Sequence, residues 1–94
     1  MEHPQTGAGS RHTVTLLTRA GCSLCARAAE QLAALRDELG FTLLTTDVDS
    51  EAAAGNPALR AQYGDLLPVV LLNGVEHGYW EVDEAQLRED LATL

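Results

Sequence analysis

The chain has two cysteines, and they stand three positions apart in Gly21-Cys22-Ser23-Leu24-Cys25, where a β-branched run gives way to a helical pattern. That placement constrains the chain more than any other feature. The N–H groups of a first helical turn have no partner inside the helix and point back toward its start, so a sulfur there lies in a field that favours the thiolate. The effect lowers a thiol's pKa and makes Cys22 the expected nucleophile. Three residues are close to one helical turn, which brings Cys25 to the same side and within reach of disulfide closure. Cys22 would then attack a disulfide, and Cys25 would resolve the mixed disulfide that results. Arg19, just upstream, adds positive charge near Cys22 in this reading.

Other uses of such a pair fit less well. Small domains stapled by disulfides carry several pairs and an export signal, and this chain has one pair. Half of a zinc site would need a second pair of ligands, whereas His3, His12 and His77 are scattered. Asp47, Asp49 and Glu51 alternate like metal ligands, but a calcium loop needs more oxygen ligands in a longer frame, so they read as a solvated loop. No metal site is expected.

With 94 residues the chain has room for one domain with one modest core. No apolar run approaches the length of a membrane span. The formal net charge of -8 argues against a nucleic-acid partner, because phosphate backbones are held by clustered cations. The six basic residues here are dispersed arginines. Residues 1–12 read as a flexible tail without the apolar stretch of a signal peptide, and residues 13–94 as the domain. The expected location is the cytoplasm, where a Cys-x-x-Cys pair is more often redox-active than structural.

Thr13 to Thr18 has the β-branched, partly alternating character of a first strand. From Leu24 the apolar residues Ala28, Leu32, Leu35 and Leu39 follow at helical spacing, and Gly40 suits the helix end. Phe41 to Val48 reads as a second strand. A short helix is expected over Pro57 to Tyr63 with Asn56 as its cap, and the segment 51–55 is either loop or a separate helical turn. Val69 to Leu72 reads as a buried strand, and Asn73-Gly74 as a tight turn into Val75-Glu76-His77. Asp83 should cap a last helix, with Gln86 placed to return the bond. His77 reads as a surface residue of the hairpin rather than a general base. The order is βαβαββα: an α/β fold with a mixed sheet of about four strands flanked by helices.

That order, with Cys-x-x-Cys at the first helix and a proline opening the third strand, resembles the thioredoxin-like fold in its glutaredoxin-type form, over nearly all of Thr13 to Leu94. Within that superfamily the chain is similar to small bacterial glutaredoxin-like proteins of unassigned substrate, on Tyr63-Gly64, Pro68-Val69 and Trp80-Glu81-Val82-Asp83-Glu84. The resemblance implies a cis peptide bond before Pro68, facing the redox pair. It also implies that Leu67 offers its backbone N–H and C=O to an extended substrate, a form of β-strand addition. The chain departs from glutathione-using members at Arg19, where they carry Lys, and at Leu66-Leu67-Pro68, where they carry Thr-Val-Pro. It departs again at Gly78-Tyr79-Trp80-Glu81-Val82, where they carry a Gly-Gly-x-Asp-Asp clamp.

The resulting expectation is a cytoplasmic thiol–disulfide oxidoreductase or redox carrier, monomeric, with Cys22 and Cys25 as the reacting pair and Arg19, Leu67, Pro68, Tyr79 and Trp80 around the substrate. Tyr79 and Trp80 are either a landing patch beside the site or one core residue and one shield. No bound cofactor is required, and electrons would come from an external thiol or a reductase. The partner would be a disulfide-containing protein or a low-molecular-weight thiol. Two alternatives remain open at this point. One is a binding or redox-sensing module without turnover. The other is glutaredoxin-type iron–sulfur binding, with Cys22 of two chains and added thiols as ligands.

Overall fold

The computed structural model describes residues 12–93. The flexible tail expected over residues 1–12 lies outside the described residues except for His12, which is buried and leads directly into the first strand.

Eight elements follow in order: β1 (Thr13–Thr18), α1 (Ser23–Leu39), β2 (Thr42–Asp47), α2 (Val48–Ala53), α3 (Ala58–Tyr63), β3 (Val69–Leu72), β4 (Val75–Tyr79) and α4 (Glu84–Thr93). They form a four-stranded mixed sheet in the order β2-β1-β3-β4. β1 and β2 run parallel across the α1 crossover, and β3 and β4 are each antiparallel to their inner neighbour. This is the thioredoxin-like α/β arrangement read from the sequence, with one more short helix.

Alternation along the inner strands sorts the core onto two faces of the sheet. Val14 and Leu16 of β1 and Val70 and Leu72 of β3 pack with Leu32 and Leu35 of α1 and Leu87 and Leu91 of α4. The intervening Leu17 and Val69 face the other way, where Val48 of α2 and Tyr63 at the end of α3 cover them. The periodicity of α1 dictates its share of this packing, since Ala28, Leu32 and Leu35 are its buried stripe. Gly40 adopts φ 83. In that left-handed conformation it ends the helix by donating its N–H to the Arg36 carbonyl at 2.7 Å.

Between β2 and β3 the sequence-based reading needs correcting. The ambiguous segment 51–55 belongs in part to α2. Asp47 caps that helix by accepting from the N–H groups of Asp49 (2.9 Å) and Ser50 (3.0 Å). Asn56 does not cap α3. Its side chain donates to Glu51 Oε1 at 3.2 Å, and Pro57 occupies the cap position, where its carbonyl takes the Ala61 N–H.

The hairpin turn is as expected, with Asn73 at φ 53 and Gly74 at φ 85. Both lie in the left-handed region that a two-residue turn requires. Asn73 also fastens the turn to β1. Its Oδ1 accepts from the Thr13 N–H at 2.9 Å, its N–H donates to the Thr13 carbonyl at 2.7 Å, and its Nδ2 meets His12 Nδ1 at 3.0 Å.

β4 carries a bulge: Val70 pairs with Gly78 and Leu71 with Glu76. His77 is the extra residue, and the bulge turns it inward. Its side chain is 8% exposed, and Nε2 lies 2.8 Å from Asp90 Oδ2 of α4, so His77 is a buried tie between β4 and α4 rather than a surface residue. Asp83 caps α4 through the Gln86 N–H at 3.1 Å, but the Gln86 side chain reaches forward to Asp90 Oδ1 at 2.9 Å instead of returning the bond.

Truncation inside and outside this core should differ sharply. Leu32 has no exposure, while Leu24 on the same helix is half exposed. Leu32→Ala is expected to cost about 2–5 kcal/mol of unfolding free energy in urea titration. Leu24→Ala should stay within about 0.5 kcal/mol of the parent.

Candidate active site

Strand register gathers the site at one end of the sheet. Leu17 of β1 lies opposite Val69 of β3, and Val69 lies opposite Tyr79 of β4. The exit of β1 toward Cys22, the entry of Pro68 into β3 and the exit of β4 at Tyr79 and Trp80 therefore fall together. The Asn73-Gly74 turn and the His12 contact lie at the other end.

Cys22 is the N-cap of α1, with extended backbone at φ -91 and ψ 107. Its Sγ accepts the Cys25 N–H at 3.1 Å. A Ser or Asp oxygen makes the same bond at other helix starts. Gly21, at φ 79, supplies the left-handed step that reverses the chain from β1 into this cap. Cys22 and Cys25 are joined in a disulfide with Cα atoms 5.1 Å apart. The two sulfurs differ in access: Cys22 is half-buried, whereas Cys25 is 2% exposed. An incoming group meets Cys22 first.

The peptide bond between Leu67 and Pro68 is cis. Pro68 is buried and Leu67 half-buried against Leu17, Val48, Tyr63 and Val69. The carbonyls on either side of Leu67 are both engaged by one donor, since the Trp80 N–H lies 3.2 Å from the Leu66 oxygen and 2.7 Å from that of Pro68. Among the described residues, the N–H and C=O of Leu67 itself have no hydrogen-bond partner. That bare pair of backbone groups is what strand addition by an extended substrate would use.

Trp80 holds this latch in a left-handed conformation, φ 73. A bulky residue adopts it only at a cost of about 1–3 kcal/mol. The residue is 57% exposed, and its ring packs edge-to-face on that of Tyr79, itself 43% exposed, with centroids 5.0 Å apart. Neither aromatic joins the core. Trp80 also lines a groove of about 480 Å³ with Glu81 and Val82 on one side and Leu24, Arg27, Ala28 and Gln31 of α1 on the other. Leu24 belongs to both the Cys-x-x-Cys turn and the groove.

Arg19 is placed differently from the expectation of a charge directed at Cys22. Its guanidinium forms a two-pronged pair with Asp49 of α2, Nε to Oδ2 and Nη2 to Oδ1, each at 3.0 Å, and Nη1 donates to the Gly64 carbonyl at 3.4 Å. Such a fork matches the two oxygens of a carboxylate and fixes its orientation. Arg60 of α3 approaches the same carboxylate at 3.7 Å. Asp49 is thus a surface anchor that ties the segment after β1 and α3 to α2, not part of a solvated loop. Hydrogen bonding from Arg19 holds the Asp49 carboxyl below its ordinary value and raises that of the guanidinium.

Comparison with known proteins places the fold and the pair in a family. Residues 13–92 match the family model described as Glutaredoxin-like domain (DUF836). The chain belongs to this glutaredoxin-like family. An uncharacterized protein of Mycobacterium tuberculosis is 65% identical over 83 residues, covering 88% of this chain and 86% of that one. Among solved structures, the solution structure of a Nitrosomonas europaea protein, Ne2328, superposes with a TM-score of 0.70 at 23% identity, over 84% of this chain and 89% of the other. The thioredoxin of Fasciola hepatica superposes at 0.59 with 23% identity, over 89% and 81%. These two share the fold.

Of the residues singled out from the sequence, Cys22, Cys25, Leu67, Pro68, Tyr79 and Trp80 meet at this end of the glutaredoxin-like domain, while the Arg19 side chain is turned to Asp49. Leu24 opens the apolar stripe expected of α1 yet is 48% exposed, and Arg27 and Gln31 were not singled out. Their spacing at i, i+3 and i+7 marks one face of α1. That this face meets Trp80 depends on a contact between segments far apart in the sequence. Among the described residues, no cluster of three or more His, Cys, Asp or Glu side chains could hold a metal ion, and no helix is long and apolar enough to cross a membrane.

The Asp49 pair makes a pH prediction. The group's folded value lies below its unfolded one of 3.8. Its stabilisation is therefore complete above the unfolded value and disappears as pH falls through the folded value. Asp49→Asn should be less stable than the parent in urea titrations at neutral pH. The difference should close when both are measured well below pH 3.8.

Proposed function

We propose that this protein is a cytoplasmic thiol–disulfide oxidoreductase or redox carrier in which Cys22 attacks and Cys25 resolves. The observation that carries the proposal is the N-cap geometry: an accessible sulfur bonded to a helical N–H, with a second sulfur buried one turn behind it.

The reaction balances with two thiols. In the reduced protein the Cys22 thiolate attacks one sulfur of a substrate disulfide, breaking that bond. The departing thiolate takes up a proton, and a Cys22–substrate mixed disulfide remains. The Cys25 thiol loses its proton and attacks Cys22 Sγ, releasing the second substrate thiol and forming the Cys22–Cys25 disulfide. The substrate gains two electrons from the protein and two protons, one given up by Cys25 and one drawn from solvent, where Cys22 left its own on ionising. A thiol of low molecular weight or a dithiol reductase, acting through the reverse exchange, restores the reduced pair.

The helix start supports the first step, since the Cys25 N–H donated to Sγ stabilises negative charge there. The burial of Cys25 delays the second step until a substrate is covalently held. Leu67 supports orientation, because its unpaired N–H and C=O fit the backbone of an extended chain on the cis-proline side of the pair. Such pairing reads main chain rather than side chain, so it suits many substrates.

The test is alkylation of the reduced protein across pH. Cys22 should titrate well below the ordinary thiol value of about 8.5, with Cys25 reacting far more slowly. Cys22→Ser should bring disulfide reduction down to background. Cys25→Ser should instead accumulate a covalent adduct with the substrate, visible by intact mass. An unshifted Cys22 together with unchanged turnover in Cys22→Ser would sink the reading.

A further inference from the structure

We propose that the groove between α1 and the Trp80–Val82 segment binds the polypeptide flanking a substrate's disulfide, and that Arg27 selects segments carrying an acidic side chain. The groove's purpose rests on the oxidoreductase reading, whereas its geometry stands apart from the chemistry.

Charge singles out Arg27. The chain has 14 carboxylate side chains and six arginines, so an exposed arginine has ample choice of partner. Arg19, Arg36, Arg60 and Arg88 each lie within 4.0 Å of a carboxylate. Among the described residues, Arg27 forms no such pair, although Glu81 lines the opposite wall of the same groove. An unpaired guanidinium on an acidic protein is a strong local attractor for an external carboxylate, which it can hold by two parallel hydrogen bonds.

The surroundings decide what carries that carboxylate. Leu24 at 48% exposure and Trp80 at 57% form an apolar rim at the redox end of the groove, next to Tyr79. Exposed side chains of this size, grouped beside a reactive pair, suit the side chains of a polypeptide. The groove follows α1 from Leu24 to Gln31. That is two turns or about 10 Å, the length of roughly three extended residues. Leu24 stands inside the Cys-x-x-Cys turn, so a chain whose sulfur meets Cys22 can continue along this path. An apolar residue would then rest on Leu24 and Trp80, with an acidic one beyond it at Arg27. Glu81 on the facing wall works against carboxylates generally and leaves Arg27 as the selective contact.

Trp80 is the only tryptophan in the chain, so its fluorescence reports the groove directly. The probe is an unstructured peptide with Ser in place of the reactive cysteine, an adjacent Leu and a Glu beyond it, titrated into the oxidised full-length protein. Control peptides carry Gln or Lys in place of Glu. The Glu peptide should bind about fivefold more tightly than the Gln peptide, the upper range for one exposed ion pair, and high salt should erase the difference. Arg27→Gln should abolish the preference, bringing the affinity for the Glu peptide down to that for the Gln peptide. Glu81→Gln should keep the preference or enlarge it. Equal affinities for the three peptides, no fluorescence response, or a preference that survives Arg27→Gln would overturn the proposal. Because the probe cannot exchange disulfides, a protein without turnover could still show the preference, and an active one could lack it.

Discussion

A helix begins with N–H groups that have no partner of their own, and here the partner at the N-cap is sulfur. Serine, aspartate or asparagine would accept that bond better, and a serine follows immediately at position 23. A neutral thiol is a weak acceptor; a thiolate is a strong one. The capping position therefore costs something while Cys22 is protonated and recovers it when the sulfur is charged. The same bond that starts α1 biases the thiol toward its reactive form. A cysteine caps here less well than serine would, and the rest of the domain carries the stability.

A second compromise lies across the site. One backbone N–H, that of Trp80, is shared between the carbonyls of Leu66 and Pro68. It is presented by a residue with positive φ, a conformation that glycine would adopt freely. A tryptophan with an exposed ring gains little core packing to set against that cost. What the arrangement achieves is placement. It ties the end of β4 to the cis-proline loop, leaves the peptide groups of Leu67 unpaired between two engaged carbonyls, and sets an aromatic rim where α1 begins.

How much of this could be read from the chain depends on the range of the interaction. The local signals were legible: the period of α1 and its Gly40 stop, the left-handed Asn73-Gly74 turn and the Asp83 cap each express a preference settled within a few residues. The cysteine pair was legible for the same reason. Asn56 misled because a good capping residue can be claimed by a neighbour, here Glu51. His77 misled because a bulge of one residue inverts which side of the strand a side chain faces, and its one local sign is the isolated glycine at position 78. Arg19 has the right charge and position for the thiolate, yet its destination was decided by Asp49, thirty residues on. The groove was least legible of all, since it exists only where one face of α1 meets Trp80.

The two ends of the sheet use their polar atoms in opposite ways. At the hairpin end Asn73 satisfies β1 through side chain and backbone together, and His77, Asp90 and Gln86 form a chain of bonds that fixes β4 to α4. Only His12 Nε2 is buried there without a partner among the described residues. At the cysteine end, among the described residues, the Leu67 peptide groups are left bare and Arg27 has no counter-charge, while Leu24, Tyr79 and Trp80 stand in solvent. Unsatisfied groups at a surface cost little because water covers them, but a ligand that replaces that water must match them. The satisfied end holds the sheet in register, and register is what brings Cys22, Leu67 and Trp80 to one place. Rigidity at one end of four short strands is thus the condition for leaving the polar groups of the other end unpaired.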